Sequence, residues 1–286
     1  FELVGESLFA LVDIYFVGQL DNAASAIATV GLTETYLYLL YSIGMGVAMS
    51  VTAVVARRVG EKNGEEASRA AIQSIFLGIL ISVPFSIAGI FFAKDLLALM
   101  GGDQYALTEG YKFTQWMLGG NVVIMLLFII NAVFRGAGDA AIAMRVLWIA
   151  NGINIILDPM LIFGWGPFPE LGIQGAAIAT TTGRGIGVLI QIYVLFKGGK
   201  HIRVLFSQIK LHAKVLGTIV KTSLGGVGQM IVAMLSWIFI VRILSNIGTE
   251  AVAGATIAIR VMMFTMMPAW GMSNAVATLV EQNLGA

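Results

Sequence analysis

Long apolar runs, separated by short polar stretches, repeat along the whole chain. Eight of them reach about 20 residues, the length that crosses roughly 30 Å of hydrocarbon. They occupy 1–19, 24–57, 70–93, 113–135, 140–164, 173–196, 223–244 and 251–281. Each predicts a membrane-spanning helix. The second and eighth are long enough to begin as interfacial turns.

Composition agrees with this pattern. The 286 residues are 58% hydrophobic and 12% charged, with a mean hydropathy of +0.89. A soluble domain carries about 25% charged residues, so the deficit excludes a soluble core. The fold class expected is an all-α polytopic membrane protein. The chain has no cysteine, which excludes disulfides and thiolate metal sites. His201 and His212 cannot form a zinc site alone. No cleavable signal is visible. Phe1 already lies inside an apolar run, so the natural start is expected upstream.

Basic residues set an orientation. The second connection carries Arg57, Arg58, Lys62 and Arg69, and the fourth Arg135 and Arg145. The sixth carries Lys197, Lys200, Arg203, Lys210, Lys214 and Lys221 with no acid among them. The odd connections hold only Lys94 and Lys112. The even connections are therefore expected in the cytoplasm, with the amino terminus on that side. The sixth, "FKGGKHIRVLFSQIKLHAKVLGTIVK", alternates basic and apolar residues. It reads either as an amphipathic helix on the membrane surface or as a solvated linker. It divides the chain into 1–199, a six-helix lobe, 200–222, the connector, and 223–286, the first two helices of a second lobe.

An internal repeat supports that division. "MGVAMSVTAVVARRVG" (45–60) aligns with "WGMSNAVATLVEQNLG" (270–285). Gly46, Val51, Val55 and Gly60 fall on Gly271, Val276, Val280 and Gly285. At the same offset "AIA" (26–28) falls on "AVA" (251–253), and with one inserted residue "FVGQLDN" (16–22) meets "IVRILSN" (240–246). Six spans separate the copies, so they share one orientation, a parallel repeat as in several transporter folds. A complete second copy needs four further spans beyond Ala286.

Against this apolar background, acids at membrane depth stand out, because a buried charge costs about 2.5–3.5 kcal/mol on insertion scales. Asp13 and Asp158 each lie six residues from the outer end of their predicted span. That is roughly 9 Å below the boundary at 1.5 Å per residue. Thr180 lies roughly 12 Å deep on the sixth span by the same rise. Asn151, Asn154 and Asp158 are spaced i, i+3, i+7 and share a helix face. Pro159 has no N–H, so the carbonyl of Ile155 needs another partner. This hard oxygen set suits Na+, or a proton held between two acids. The competing reading is plain: Asn154 and Asp158 bind helices together, Asp13 faces a watery vestibule, and Thr180 caps its own helix backbone.

Secondary candidates follow. Glu6 lies one face-repeat before Asp13. Glu34 sits in the second span and can face a cavity. Arg184, in the middle of the sixth span, needs an acid or carbonyl partner. Gln229 in the seventh is a neutral candidate, or simple helix glue. "GGVGQM" (225–230) and "GRGIGV" (183–188) have no preceding strand and are not phosphate loops. Ala176, Thr180, Gly183 and Gly187 form a small-residue stripe suited to close helix packing. The methionine cluster "RVMMFTMMPAWGM" (260–272) suits either an adaptable apolar pocket or ordinary packing.

Five stretches together resemble the multidrug and toxic compound extrusion (MATE) family. They are "LVDIYFVGQL" (11–20), "GMGVAMSVTAVVARRVGEKNGEEASRA" (44–70), "NAVFRGAGDA" (131–140), "NIILDPMLIFG" (154–164) and "LGIQGAAIATTTGR" (171–184). The resemblance implies two six-helix lobes forming a V around a central cavity. It implies efflux of organic cations or other amphiphiles coupled to Na+ or H+. In the DinF-like branch the amino-terminal lobe holds the cation, and its site residues match Asp13, Asn154, Asp158 and Thr180, with Thr181 the alternative. The NorM-like branch adds a carboxylate on the seventh helix, which this chain lacks. The family's proline upstream of the first aspartate is also missing from residues 1–12.

The function expected is secondary antiport in a prokaryotic cytoplasmic membrane. A lipid-linked oligosaccharide flippase of the same architecture and a non-transporting scaffold are the alternatives. A flippase cavity should be rich in cations, and only Arg184 and Arg260 are candidates. The partners implied are the lipid bilayer and small amphiphilic or cationic substrates, with no nucleic acid and a monomeric full-length state. No enzyme chemistry is expected, and no cofactor beyond the coupling ion.

Overall fold

The computed structural model describes residues 11–198, 202–205, 208–247 and 249–285. Regular structure among them is helical, with no strand. Residues 11–17 form α1, followed by α2 (Ala23–Gly60) and α3 (Gly64–Leu99). A π-helical turn, Ala106–Gly110, leads into α4 (Tyr111–Gly119) and α5 (Asn121–Gly136). Then come α6 (Ala140–Ile162), α7 (Ile173–Lys197), α8 (Ala213–Ile247) and α9 (Thr249–Gly285). Six helical segments among the described residues are long and apolar enough to cross a membrane. Glu6 lies outside the described residues.

Several helices outrun their apolar stretch. α2 has 38 residues, about 57 Å at 1.5 Å per residue, well beyond the hydrocarbon. Its extra turns carry Arg57 and Arg58, which pair with Glu61 at 3.4 and 2.6 Å. The next turn is closed by Asn63, whose side chain accepts from the Glu66 amide at 3.1 Å and starts α3 ahead of its apolar run. Arg69 then ties Glu65 and Glu66. Within α3, Pro84 is accommodated, and the chain leaves helical geometry at Phe92 (φ −122°, ψ 17°), a kink.

The fourth span does not run as one uniform helix. It begins earlier than 113 and breaks at Gly119–Gly120. Asn121, fully buried, holds the break by donating to Ser82 O at 3.2 Å and Ser86 Oγ at 3.0 Å on α3. Buried Leu37, Leu40, Met125, Ile129, Ile130 and Phe134 fill the core between α2 and α5.

Of the two readings of the sixth connection, an amphipathic helix or a linker, a single helix along its length does not form. Residues 202–205 have no regular structure, and α8 begins at Ala213 rather than near 223. The physical reason lies on α3. Ser68 donates to Arg203 O at 2.8 Å. Gln73 donates to Lys210 O at 2.7 Å and accepts from the His212 amide at 3.0 Å. These bonds take backbone groups that a helix would need. Ile202 and Val204 are buried with them.

Candidate cation site

α6 and α7 form the scaffold of the site. They are joined by a ten-residue turn region, 163–172, in which Gly164, Gly166 and Gly172 adopt positive φ. The Leu171 and Gly172 amides return to Leu161 O and Ile162 O at 3.0 and 3.1 Å, closing the end of α6. Glycines on α7 then let the two backbones approach. A Cβ at Gly183 would lie 2.7 Å from Ala150 O and 3.2 Å from Asn154 Cβ. One at Gly175 would collide with Leu161 O. The small-residue stripe therefore packs on α6 as its composition predicts.

That close approach brings the polar residues together. Asn154 donates through Nδ2 to Thr180 Oγ1 at 3.1 Å and to Asp158 Oδ1 at 3.4 Å. Asp158 is fully buried, and Asn154, Thr180 and Asn151 nearly so. α6 passes Pro159 without a break, so Ile155 O faces a residue with no amide hydrogen. Asp158 lies four residues before the end of α6, and Asp13 four before the end of α1. The two carboxylates are within electrostatic reach of each other. Asp13 is also within reach of Arg184 and Glu34. Arg184 donates to the Tyr41 hydroxyl at 3.4 Å.

Three oxygens in this layer are buried without a hydrogen-bond donor among the described residues: Asp13 Oδ1, Asn154 Oδ1 and Asp158 Oδ2. Buried oxygens of this kind cost free energy until something positive meets them. All are hard donors, which fit a hard monovalent cation or a proton and not a soft transition metal.

The other candidates separate. Glu34 is half-buried on α2, one turn before Tyr38 and within reach of Asp13. Thr181 packs beside Gly120, away from Asn154. Gln229 is exposed on α8, and no hydrogen bond joins it to the cluster. Sequence reasoning missed Tyr41. Its signal was present, because Glu34, Tyr38 and Tyr41 are spaced i, i+4, i+7 and share a face. It also missed the buried pair in which Gln191 donates to Asn131 Oδ1 at 2.6 Å, between α7 and α5.

Fold and site thus define a multi-pass helical membrane protein with a buried oxygen cluster. The family model described as MatE matches residues 1–160 and 226–286, and the chain belongs to that family. It is 28% identical over 284 residues to an FAD transporter of Shewanella oneidensis, covering 97% of this chain and 61% of that protein. It is 29% identical over 289 residues to a probable multidrug resistance protein NorM of Thermotoga maritima, covering 99% and 61%. A MATE crystal structure in complex with MaD3S matches with a TM-score of 0.88 at 25% identity, over 99% of this chain and 63% of that one. A MOP superfamily transporter from Pyrococcus furiosus matches with a TM-score of 0.86, also at 25% identity, over 99% and 62%. The chain spans about three fifths of the length of these relatives.

Proposed function

We propose that the full-length protein is a secondary antiporter that exports small amphiphiles, organic cations among them, in exchange for Na+ or H+. One observation carries this reading: three buried oxygens on α1 and α6 lack a donor, in one layer with Thr180. What sets them apart from the open oxygens of Asn121 and Gln191 is that two of them belong to carboxylates on different helices. Asp13, Asn154, Asp158 and Thr180 would hold the ion. The chemistry it supplies when bound is one positive charge between two carboxylates.

The chain's own residues do the rest. Asn154 spends its amide protons on Asp158 and Thr180, and its oxygen is left without a donor. Asp13 and Asp158 stand on different helices. Like charges on them repel, and a shared cation draws α1 towards α6. Ion occupancy therefore favours one arrangement of α1, and a substrate that favours the other is exchanged for the ion. Arg184 and Glu34 add fixed charges of opposite sign at the edge of the layer. The names of the relatives, an FAD transporter and a probable multidrug resistance protein, support small-molecule export and do not favour the flippase alternative. By the distribution of basic residues, the Arg57 end of α2 faces the cytoplasm.

The test uses the full-length protein in liposomes with Na+ and pH gradients imposed separately. Asp158→Asn and Asp13→Asn are expected to abolish gradient-driven dye export. Undiminished, ion-dependent export in both variants would rule out this site.

A further inference from the structure

The connector between α7 and α8 carries more positive charge than its surroundings answer. No Asp or Glu occurs from Leu171 to Thr249, while Lys197, Arg203, Lys210 and Lys214 fall in the middle of that stretch. All four are exposed. The acids of the neighbouring α2–α3 turn are already taken, Glu61 by Arg57 and Arg58, Glu65 and Glu66 by Arg69. Among the described residues no acid pairs with any of the four connector cations. The stem of Arg203 crosses Gly198, where a Cβ would lie 3.0 Å from its Cγ and Cδ.

The same segment turns apolar side chains outward. Ile202 and Val204 point in and are buried, and the Val204 amide donates to Leu195 O at 3.0 Å. Arg203 and Leu205, in alternation with them, are exposed. Leu205, Ile209 and Leu211 are 46, 43 and 66% exposed, and Lys210 stands between the last two. The backbone of this stretch is fixed by Ser68 and Gln73 on α3. Those two residues straddle position 70, where the apolar run of α3 begins. The connector therefore lies at the level where α3 enters hydrocarbon, with unpaired cations and apolar side chains mixed at one interface. Its shape is set in advance by bonds to α3, so little ordering remains for a ligand to impose.

We propose that the connector is a docking site for an anionic phospholipid of the leaflet at the basic end of the molecule. Arg203, Lys210 and Lys214 take the headgroup phosphate, and Leu205, Ile209 and Leu211 lie among the acyl chains. A zwitterionic lipid would cover the apolar side chains and leave the cations unanswered. A free anion would answer the cations and leave the apolar side chains in water. An anionic lipid does both. The patch does not depend on the antiport reading, and neither measurement below involves export.

In the first, melting of the full-length protein, freed of lipid in a neutral detergent, is followed as lipid is added. Phosphatidylglycerol is expected to raise the melting temperature by at least about 4 °C, and phosphatidylcholine or inorganic phosphate by less than about 1 °C. Arg203→Gln, Lys210→Gln and Lys214→Gln together should remove at least about half of the phosphatidylglycerol shift. An equal rise with phosphatidylcholine would overturn the anionic headgroup, an equal rise with inorganic phosphate would overturn the lipid, and a full rise in the triple variant would overturn the site. The second measurement keeps every cation in place. Leu211→Cys, in full-length protein with no other thiol, carries a fluorophore in nanodiscs of equal phosphatidylglycerol and phosphatidylcholine, with bromine on the chains of one lipid or the other. Quenching by the brominated phosphatidylglycerol should exceed that by the brominated phosphatidylcholine at least about twofold. Equal quenching would overturn the proposal.

Discussion

Buried polar residues meet two different fates in this molecule. Where α3 receives the connector, Gln73 is fully buried and both ends of its amide are used, one on Lys210 O and one on the His212 amide. Ser68 beside it is spent on Arg203 O. Where α1, α6 and α7 meet, Asp158 and Asn154 are as deeply buried, yet Asp13, Asn154 and Asp158 each keep an oxygen without a donor. The first region uses polar atoms to fix backbone, at a net gain of about 1 kcal/mol per bond. The second forgoes that gain. Asn121 and Gln191 also keep an oxygen open, so what marks the second region is that two of its open oxygens belong to carboxylates on different helices.

The comparison can be broken by mutation. The largest effect is expected from Asp158→Asn with Asp13→Asn in the full-length protein: ion-dependent thermal stabilisation should vanish, with export falling at least about tenfold, because the charge that the ion answers is gone. Retained stabilisation by Na+ and by low pH alike would place the oxygens among structural groups.

Next comes Gly183→Val. Its side chain would meet Ala150 O and force α7 from α6, at a cost of about 1–3 kcal/mol or more. Thermal melting should fall by several degrees, and ion affinity should fall with it, since Thr180 can no longer reach Asn154. A variant that melts lower but binds the ion normally would show that the α6–α7 spacing does not set the site.

Gln73→Leu probes the other region. It strips partners from Lys210 O and the His212 amide, each bond contributing about 1 kcal/mol net. Stability should fall while the ion dissociation constant, measured by titration, stays within about twofold. An altered ion affinity would mean that the two regions are energetically one.

The smallest effect lies outside the membrane. Asp103, in the loop before α4, accepts from the Ser25 hydroxyl at 2.5 Å and from the Ala106 amide at 2.8 Å. The hydroxyl first, and the amide second, hold its carboxyl below the ordinary value of 3.8. A lowered value in the folded state means the bonds stabilise the fold above that ordinary value and are lost as pH falls through the lowered one. Ser25→Ala should lower melting slightly at pH 7 and flatten its fall below about pH 4, converging with the wild type in acid, measured by thermal scans at stepped pH. An unchanged acid slope would show that the loop acid is not a contributor.

Much of this architecture is readable from residue order. Runs of about 20 apolar residues dictate spanning helices, because hydrocarbon offers backbone groups no other partner. The predicted spans from the second to the sixth each correspond to a helical segment. Asp13 and Asp158 stand out by depth counting, since a charge in an oily run is conspicuous wherever it falls, and Asn154 by sharing a helix face with Asp158. The extra helical turns beside Glu61 and Glu65 were less legible, because local ion pairs and the Asn63 cap, not hydropathy, extend the helices there. The break at Gly119–Gly120 was hidden inside a continuous apolar stretch. It depends on Asn121 reaching Ser82 and Ser86, residues that no short-range pattern connects to it.

The sequence by itself determined which segments leave water, which side carries the positive charge, and that two copies of one pattern are present. Hydrophobicity and periodicity are local quantities, and these properties follow from them. The tertiary structure decided that Thr180 and not Thr181 meets Asn154, that Arg184 turns to Tyr41, and that the connector's backbone is held by Ser68 and Gln73. Each of these depends on which atoms come within about 3 Å across helices distant in the chain. Gly175 and Gly183 set that spacing, and their effect exists only once two backbones are placed side by side.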